Sequence, residues 1–139
     1  MSKVRKKRYT RINFSRNVTL NFQERAYCSC RIKDLSLGGM FVFSRFTESE
    51  GACCNVSVRQ IGSDSDLTIK MIARVVRKTS EGMAIEFTSM TYDSYMFLKI
   101  ILLYAAEDPL SICLEYPGNC PFEILGIDHA FRKHSEAYQ

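Results

Sequence analysis

The stretch AYCSCRIK-DLSLGG-MFVFS, residues 26–44, reads as strand, tight connection, strand. Ala26 to Lys33 alternates around two cysteines, as a strand with one buried face does, and Met40 to Ser44 is a short apolar strand. Between them, Asp34-Leu35-Ser36-Leu37-Gly38-Gly39 is turn chemistry. Asp and Ser side chains bond nearby backbone amides, and adjacent glycines permit positive φ.

Working outward, Asn17 to Phe22 alternates in the same way upstream. Downstream, Val56 to Gln60 reads as a strand. The cluster Gly62-Ser63-Asp64-Ser65-Asp66 separates it from a long alternating run, Leu67 to Lys78. Ser80-Glu81-Gly82 then turns into Met83 to Phe87. Six strands with short connections are too many for a flat sheet with two bare edges, so a closed or nearly closed, antiparallel, mostly β barrel is expected.

From Thr91 the period becomes helical. Tyr95, Leu98, Ile101, Leu102 and Ala105 share a stripe, Asp93 suits the N-terminal end, and the helix is expected to stop by Pro109. Phe97, Ile100, Leu103 and Tyr104 form a second apolar face, available to the barrel mouth or to a partner. In the tail, Pro117, Gly118 and Pro121 precede a short helix expected within Asp128 to Ala137. Phe122, Ile124, Leu125, Ile127 and Phe131 are too apolar for a solvated linker; intramolecular packing and a homodimer contact both remain open.

Composition sets the class. With 139 residues, 46% hydrophobic and 24% charged, the chain is expected to fold as one globular unit. The longest apolar run, Phe97 to Ala106, is interrupted by Lys99 and is half the roughly 20 residues of a membrane span. No secretory h-region follows the basic N-terminus, so the expected compartment is the cytoplasm. The cysteines (Cys28, Cys30, Cys53, Cys54, Cys113, Cys120) are expected as free thiols. Their spacers do not match zinc ligation, and Cys28 and Cys30 are read as core residues on one strand face.

The formal charge of +4 is unevenly spread. Residues 1–16 hold Lys3, Arg5, Lys6, Lys7, Arg8, Arg11 and Arg16 with no acidic residue, while the rest is slightly acidic. The arm is where an anion would bind. Catalysis is not expected. His129 and His134 stand in the tail without a ligand cluster, no phosphate-binding or nucleophile-elbow loop is present, and no histidine is placed to activate Ser36 beside Asp34.

In this order, a basic arm with Lys7-Arg8-Tyr9-Thr10-Arg11, a complete Asp34-x-Ser36-x-x-Gly39, a six-strand barrel and a terminal helix, the chain resembles the PilZ domain family of cyclic di-GMP receptors over roughly residues 5–105. Ala73-Arg74-Val75-Val76-Arg77 and Gly82 to Phe87 look like that family's closing strands. The resemblance implies three segments: a ligand-binding arm (1–16), a PilZ-like barrel with helix (17–106), and a partly helical C-terminal extension (107–139).

The family's arm signature is Arg-x-x-x-Arg. Here Lys7 stands at the first arginine, Arg8 at an arginine often found inside the motif, and Arg11 at the last. Lysine keeps the charge but loses the planar fork that grips phosphate or guanine bidentately. The resemblance implies that Lys7, Arg8 and Arg11 close over the dinucleotide, neutralising phosphate and clamping guanine. Asp34 would accept from guanine donors, Ser36 would donate to phosphate or support the turn, and Gly39 would admit close approach. In second rank come Gly38, Arg77 and less so Arg74 on the barrel wall, with Arg5 and Lys6 as settings of ligand stoichiometry.

The implied role is a receptor that changes conformation on binding cyclic di-GMP and controls a downstream protein partner in motility, adhesion or exopolysaccharide production. No further cofactor, metal, DNA, RNA or membrane span is expected. The alternative is a PilZ-like interaction scaffold that does not bind nucleotide, and Lys7 is the feature in its favour.

Overall fold

The computed structural model describes residues 9–14, 16–61, 66–115 and 120–126. The strands are β1 (Ile12–Asn13), β2 (Asn17–Asn21), β3 (Ala26–Leu35), β4 (Gly39–Phe43), β5 (Cys53–Ile61), β6 (Asp66–Lys78), β7 (Gly82–Thr91) and β8 (Glu123–Leu125). Two helices, α1 (Tyr92–Ala105) and α2 (Pro109–Glu115), lie between β7 and β8. Pairing runs β2 to β3 to β4 to β7 to β6 to β5 and back to β2, every step antiparallel, which closes the expected six-stranded barrel.

Alternation explains the closure. Val18 and Leu20 on β2, Ile32 on β3, Met40 and Val42 on β4, Val56 and Val58 on β5, Ile69 to Val75 in steps of two on β6, and Met83 and Ile85 on β7 are all buried in one core. Each large aliphatic side chain removed from water contributes about 1.5–3 kcal/mol. A register slip by one residue would turn that whole set outward.

Three local readings are corrected. Asp34 and Leu35 belong to β3 and Gly39 opens β4, so the connection is shorter than the six residues of turn chemistry. Its glycines do not use positive φ; among the described residues the positive-φ glycines are Gly51 and Gly126. Cys28 and Cys30 do not share a core face. Ser29, at φ 55°, forms a bulge opposite β2, where Val18 pairs with Cys30 and Leu20 with Tyr27, and this leaves Cys28 exposed and Cys30 buried. On β5, Cys54 is buried and its thiol is pushed up to about 12 by desolvation first, so it behaves as a small apolar side chain.

Helix α1 begins at an N-cap, with Ser94 N donating to Thr91 Oγ1 at 3.2 Å. Lys70 N donates to Ser94 Oγ at 3.2 Å, which pins the first turn to β6, and Leu98 and Leu102 enter the barrel core. The second apolar face divides: Phe97 and Leu103 pack against the core, while Ile100 and Tyr104 are exposed. No described helix is long and apolar enough to cross a membrane.

The described part of the tail packs intramolecularly. Ile112 of α2 is fully buried, and Phe122 packs edge-on against Phe87 and Tyr95 with ring centroids 6.2 and 5.8 Å away. β8 pairs in parallel with β7 from Ser89 to Thr91, on the edge that β4 leaves free beyond Glu86. Ile127, Phe131 and the helix expected within Asp128 to Ala137 lie outside the described residues.

Candidate functional site

The end of the basic arm is tied to the β3–β4 hairpin by β1. Ile12 is buried, and Ile12 and Asn13 pair with Leu35 and Asp34. This sets Arg11 beside the start of the Asp34-x-Ser36-x-x-Gly39 sequence. Thr10 is held from the other side: its amide and hydroxyl donate to Glu115 Oε2 at 3.0 and 2.6 Å.

The connection itself is a serine-centred turn. Ser36 N donates to Gly39 O at 2.9 Å, and Ser36 Oγ accepts from Gly38 N and Gly39 N at 3.2 and 3.3 Å. Ser36 is buried, so its hydroxyl serves the backbone. Gly39 is needed for a different close approach from the one expected, since an added Cβ would meet Ile85 O of β7 at 2.0 Å. At Gly38 an added Cβ would meet the Tyr9 ring at 3.0 Å, so the arm's aromatic side chain lies directly on this residue. Burial raises the Tyr9 hydroxyl pKa above 10.0, with Cys120 and Glu115 adding to it, and keeps it a neutral phenol.

The opposite wall comes from β6 and β7. Arg74 pairs with Glu86, its Nε donating to Oε1 at 2.7 Å and its Nη2 bonding the same oxygen. Residues 74 and 77 would face opposite sides of a regular strand. A register shift between Val75 and Arg77 places Arg77 opposite Ala84 and turns both arginines outward.

These pieces bound one open groove of about 900 Å3, lined by Arg11, Asp34, Ser36, Gly38, Gly39 and Arg77 together with Tyr9, Phe41, Arg74, Glu86 and Pro121. Every described residue of the sequence-derived set is therefore in one place. Arg5, Lys6, Lys7 and Arg8 lie outside the described residues. Among the described residues, Arg74 is neutralised by Glu86, whereas no hydrogen bond or ion pair engages the side chains of Arg11, Arg77 or Asp34. The groove thus offers two uncommitted guanidiniums and one uncommitted carboxylate, which suits an anion that also carries N–H donors. No three His, Cys, Asp or Glu side chains gather as metal ligands among the described residues.

A family model, PilZ domain, matches residues 5–103. The chain belongs to the PilZ domain family. PilZ domains are receptor and adaptor domains. In fold this PilZ domain is similar to the Bacillus subtilis Inhibitor of motility (MotI/DgrA), with a TM-score of 0.57 and 19% identity, covering 70% of this chain and 50% of that one. It is also similar to the PilZ domain of CeSA from a cellulose synthesizing bacterium, with a TM-score of 0.51 and 18% identity, covering 68% and 93%. The chain thus spans half the length of MotI/DgrA. No curated protein matches the chain.

Tyr9, Phe41, Glu86 and Pro121 are among the groove residues outside the expected set. Tyr9 was findable, standing between Arg8 and Arg11 inside the arm signature. Phe41 was findable by alternation, since Met40 and Val42 take the barrel core and leave it on the outer face, where it is buried with the Lys33 ammonium 5.4 Å from its centroid. Glu86 depends on the β6–β7 register and Pro121 on the docking of the tail, and neither has a local signal.

Proposed function

We propose that this PilZ domain is a receptor for cyclic di-GMP, working in the cytoplasm and passing ligand binding to a protein partner. The observation that carries the reading is the pair of uncommitted guanidiniums, Arg11 and Arg77, lining the same groove as the uncommitted Asp34 carboxylate. Phosphate takes the guanidiniums, and the carboxylate accepts from the N1 and N2 donors of guanine. Ser36 and Gly39 set the shape that presents Asp34. Lys7 and Arg8 supply further cations from the arm, and Arg5 and Lys6 bear on how many ligand molecules bind.

Ligand contact with the arm and the groove changes the surface offered to a partner, so binding energy becomes a shift between two populations. The related folds carry names from motility inhibition and cellulose synthesis. Control of motility or exopolysaccharide is accordingly the output class we assign.

The test is calorimetric titration with cyclic di-GMP of the wild type, Arg11→Ala and Asp34→Ala. Saturable binding is expected, with each substitution weakening it by about tenfold or more, the loss of one charge-assisted hydrogen-bonding group. A second reading, the nucleotide-free interaction scaffold, has Lys7 in its favour, because lysine lacks the bidentate fork. Absence of both heat and thermal stabilisation at high ligand concentration would select that reading.

A further inference from the structure

The family match ends at residue 103, yet α2 and β8, beyond it, are folded against the barrel, and Pro121 lines the groove. The contact of most consequence is Glu115, the last residue of α2. One carboxylate oxygen, Oε2, accepts from Thr10 N at 3.0 Å and from Thr10 Oγ1 at 2.6 Å. Ser111 Oγ, one helical turn earlier, accepts from the same hydroxyl at 3.3 Å. Thr10 is the residue between Tyr9 and Arg11, and both of those neighbours line the groove.

Glu115 is poorly placed as a source of stability. The C-terminal end of a helix disfavours a carboxylate, and α2 carries no basic residue in its last turn to offset it. Its other oxygen, Oε1, is buried with no hydrogen-bond partner among the described residues, a state that costs free energy. All the donors it has among the described residues belong to the arm. An arrangement that is locally unfavourable and consistent only with holding the arm is the mark of a functional constraint.

Resting on the cyclic di-GMP reading, we infer that Glu115 is a positioning residue for the ligand site. It clamps Thr10 to α2, and the clamp keeps Tyr9 seated on Gly38 and Arg11 on the groove before ligand arrives. A free arm would lose its conformational freedom at the moment of binding and weaken affinity by that amount. A clamped arm has already lost part of it, so the segment beyond the family match completes the site without touching the ligand. It also offsets the weaker grip of Lys7 at the head of the arm signature.

The test compares Glu115→Ala, Glu115→Gln, Thr10→Val and the Glu115→Ala/Thr10→Val pair, by amide exchange at Thr10 and by calorimetry with cyclic di-GMP. In Glu115→Ala the Thr10 amide is expected to lose protection and affinity to fall by about tenfold, the scale of ordering a few rotatable bonds. Glutamine keeps an oxygen for the Thr10 donors, so Glu115→Gln retains protection and binds within about twofold of wild type. Thr10→Val, which loses the hydroxyl and keeps the amide, falls by about threefold, and the pair is no weaker than Glu115→Ala alone, because both changes break one contact.

Unchanged or tighter binding by a folded Glu115→Ala protein whose Thr10 amide is deprotected would overturn the inference. If Glu115→Ala does not fold, full wild-type affinity in Thr10→Val would overturn it instead. Should wild type itself fail to bind cyclic di-GMP, the receptor reading falls and the positioning role with it, while protection at Thr10 still reports separately whether the clamp exists.

Discussion

The turn joining β3 to β4 and the turn joining β6 to β7 are one backbone object built at opposite ends of the β4–β7 pair. Ser36 N donates to Gly39 O at 2.9 Å, and Thr79 N donates to Gly82 O at 2.8 Å. In each, the hydroxyl accepts from the two amides that follow: Gly38 and Gly39 in one, Glu81 and Gly82 in the other. Each closing glycine abuts a carbonyl of the neighbouring strand, an added Cβ meeting Ile85 O at 2.0 Å or Val42 O at 1.9 Å. Two residues ahead of each hydroxyl stands a charged side chain that lines the groove, Asp34 in one case and Arg77 in the other.

The two turns differ at the positions between hydroxyl and glycine. Leu37 is buried in the core and Gly38 lies under Tyr9, whereas Ser80 and Glu81 are exposed. The hydroxyl and the final glycine are therefore the requirements of a tight connection and recur where no described residue of the arm is docked. What suits the first turn to a site is Leu37, which anchors it, and Gly38, which leaves room for the arm.

Exchanging residues between the turns gives the largest contrast. Leu37→Ser is expected to cost about 4 kcal/mol, since it empties a core position and buries a hydroxyl, while Ser80→Leu stays within about 0.5 kcal/mol. Urea unfolding of both variants checks this, and equal costs would mean that the first turn is no better anchored than the second. Next, Gly39→Ala and Gly82→Ala are each expected to lose about 3 kcal/mol, because a backbone carbonyl cannot yield as a side chain does. A Gly39→Ala protein with wild-type thermal stability would break the equivalence.

Gly38→Ala isolates the feature that the second turn lacks. The added methyl crowds the ring of Tyr9 and reaches Ser36 Oγ only at an ordinary contact distance of 3.9 Å, so the thermal midpoint is expected to stay close to wild type while cyclic di-GMP affinity falls by about fivefold, a loss near 1 kcal/mol. An equal loss in both measurements would show that Gly38 serves the barrel and not the arm. Smallest are Ser36→Ala and Thr79→Ala, each removing the acceptor of two turn amides. About 1 kcal/mol is expected for the buried Ser36 and less for the exposed Thr79, since the exposed Glu81 amide is re-solvated by water, as paired unfolding curves would report.

Where side-chain period and turn chemistry act over a few residues, the sequence was legible. The alternation of Val18 with Leu20, or of Met40 with Val42, sets the core face of its strand without reference to any partner, and six such segments imply closure. The bulges were not legible. Cys28 and Cys30 satisfy the two-residue period, but Ser29 breaks it, because the closing pair with β2 requires an extra residue there. The bulge before Arg77 likewise reverses which face that arginine takes, and it brought into the groove a side chain that a regular strand would have pointed inward.

The sequence by itself determined a closed six-stranded barrel followed by a helix, the family to which it belongs, and the local order of Asp34, Ser36 and Gly39. These depend on interactions between residues close in the chain or on a pattern repeated along it. Only the tertiary structure decided that Arg77 stands with Arg11 and Asp34, that Glu86 neutralises Arg74, and that Glu115 grips Thr10 across 105 residues of chain. Such pairs are made by strand register and by the docking of α2. No local period or turn residue encodes which distant side chain will be waiting on the other side.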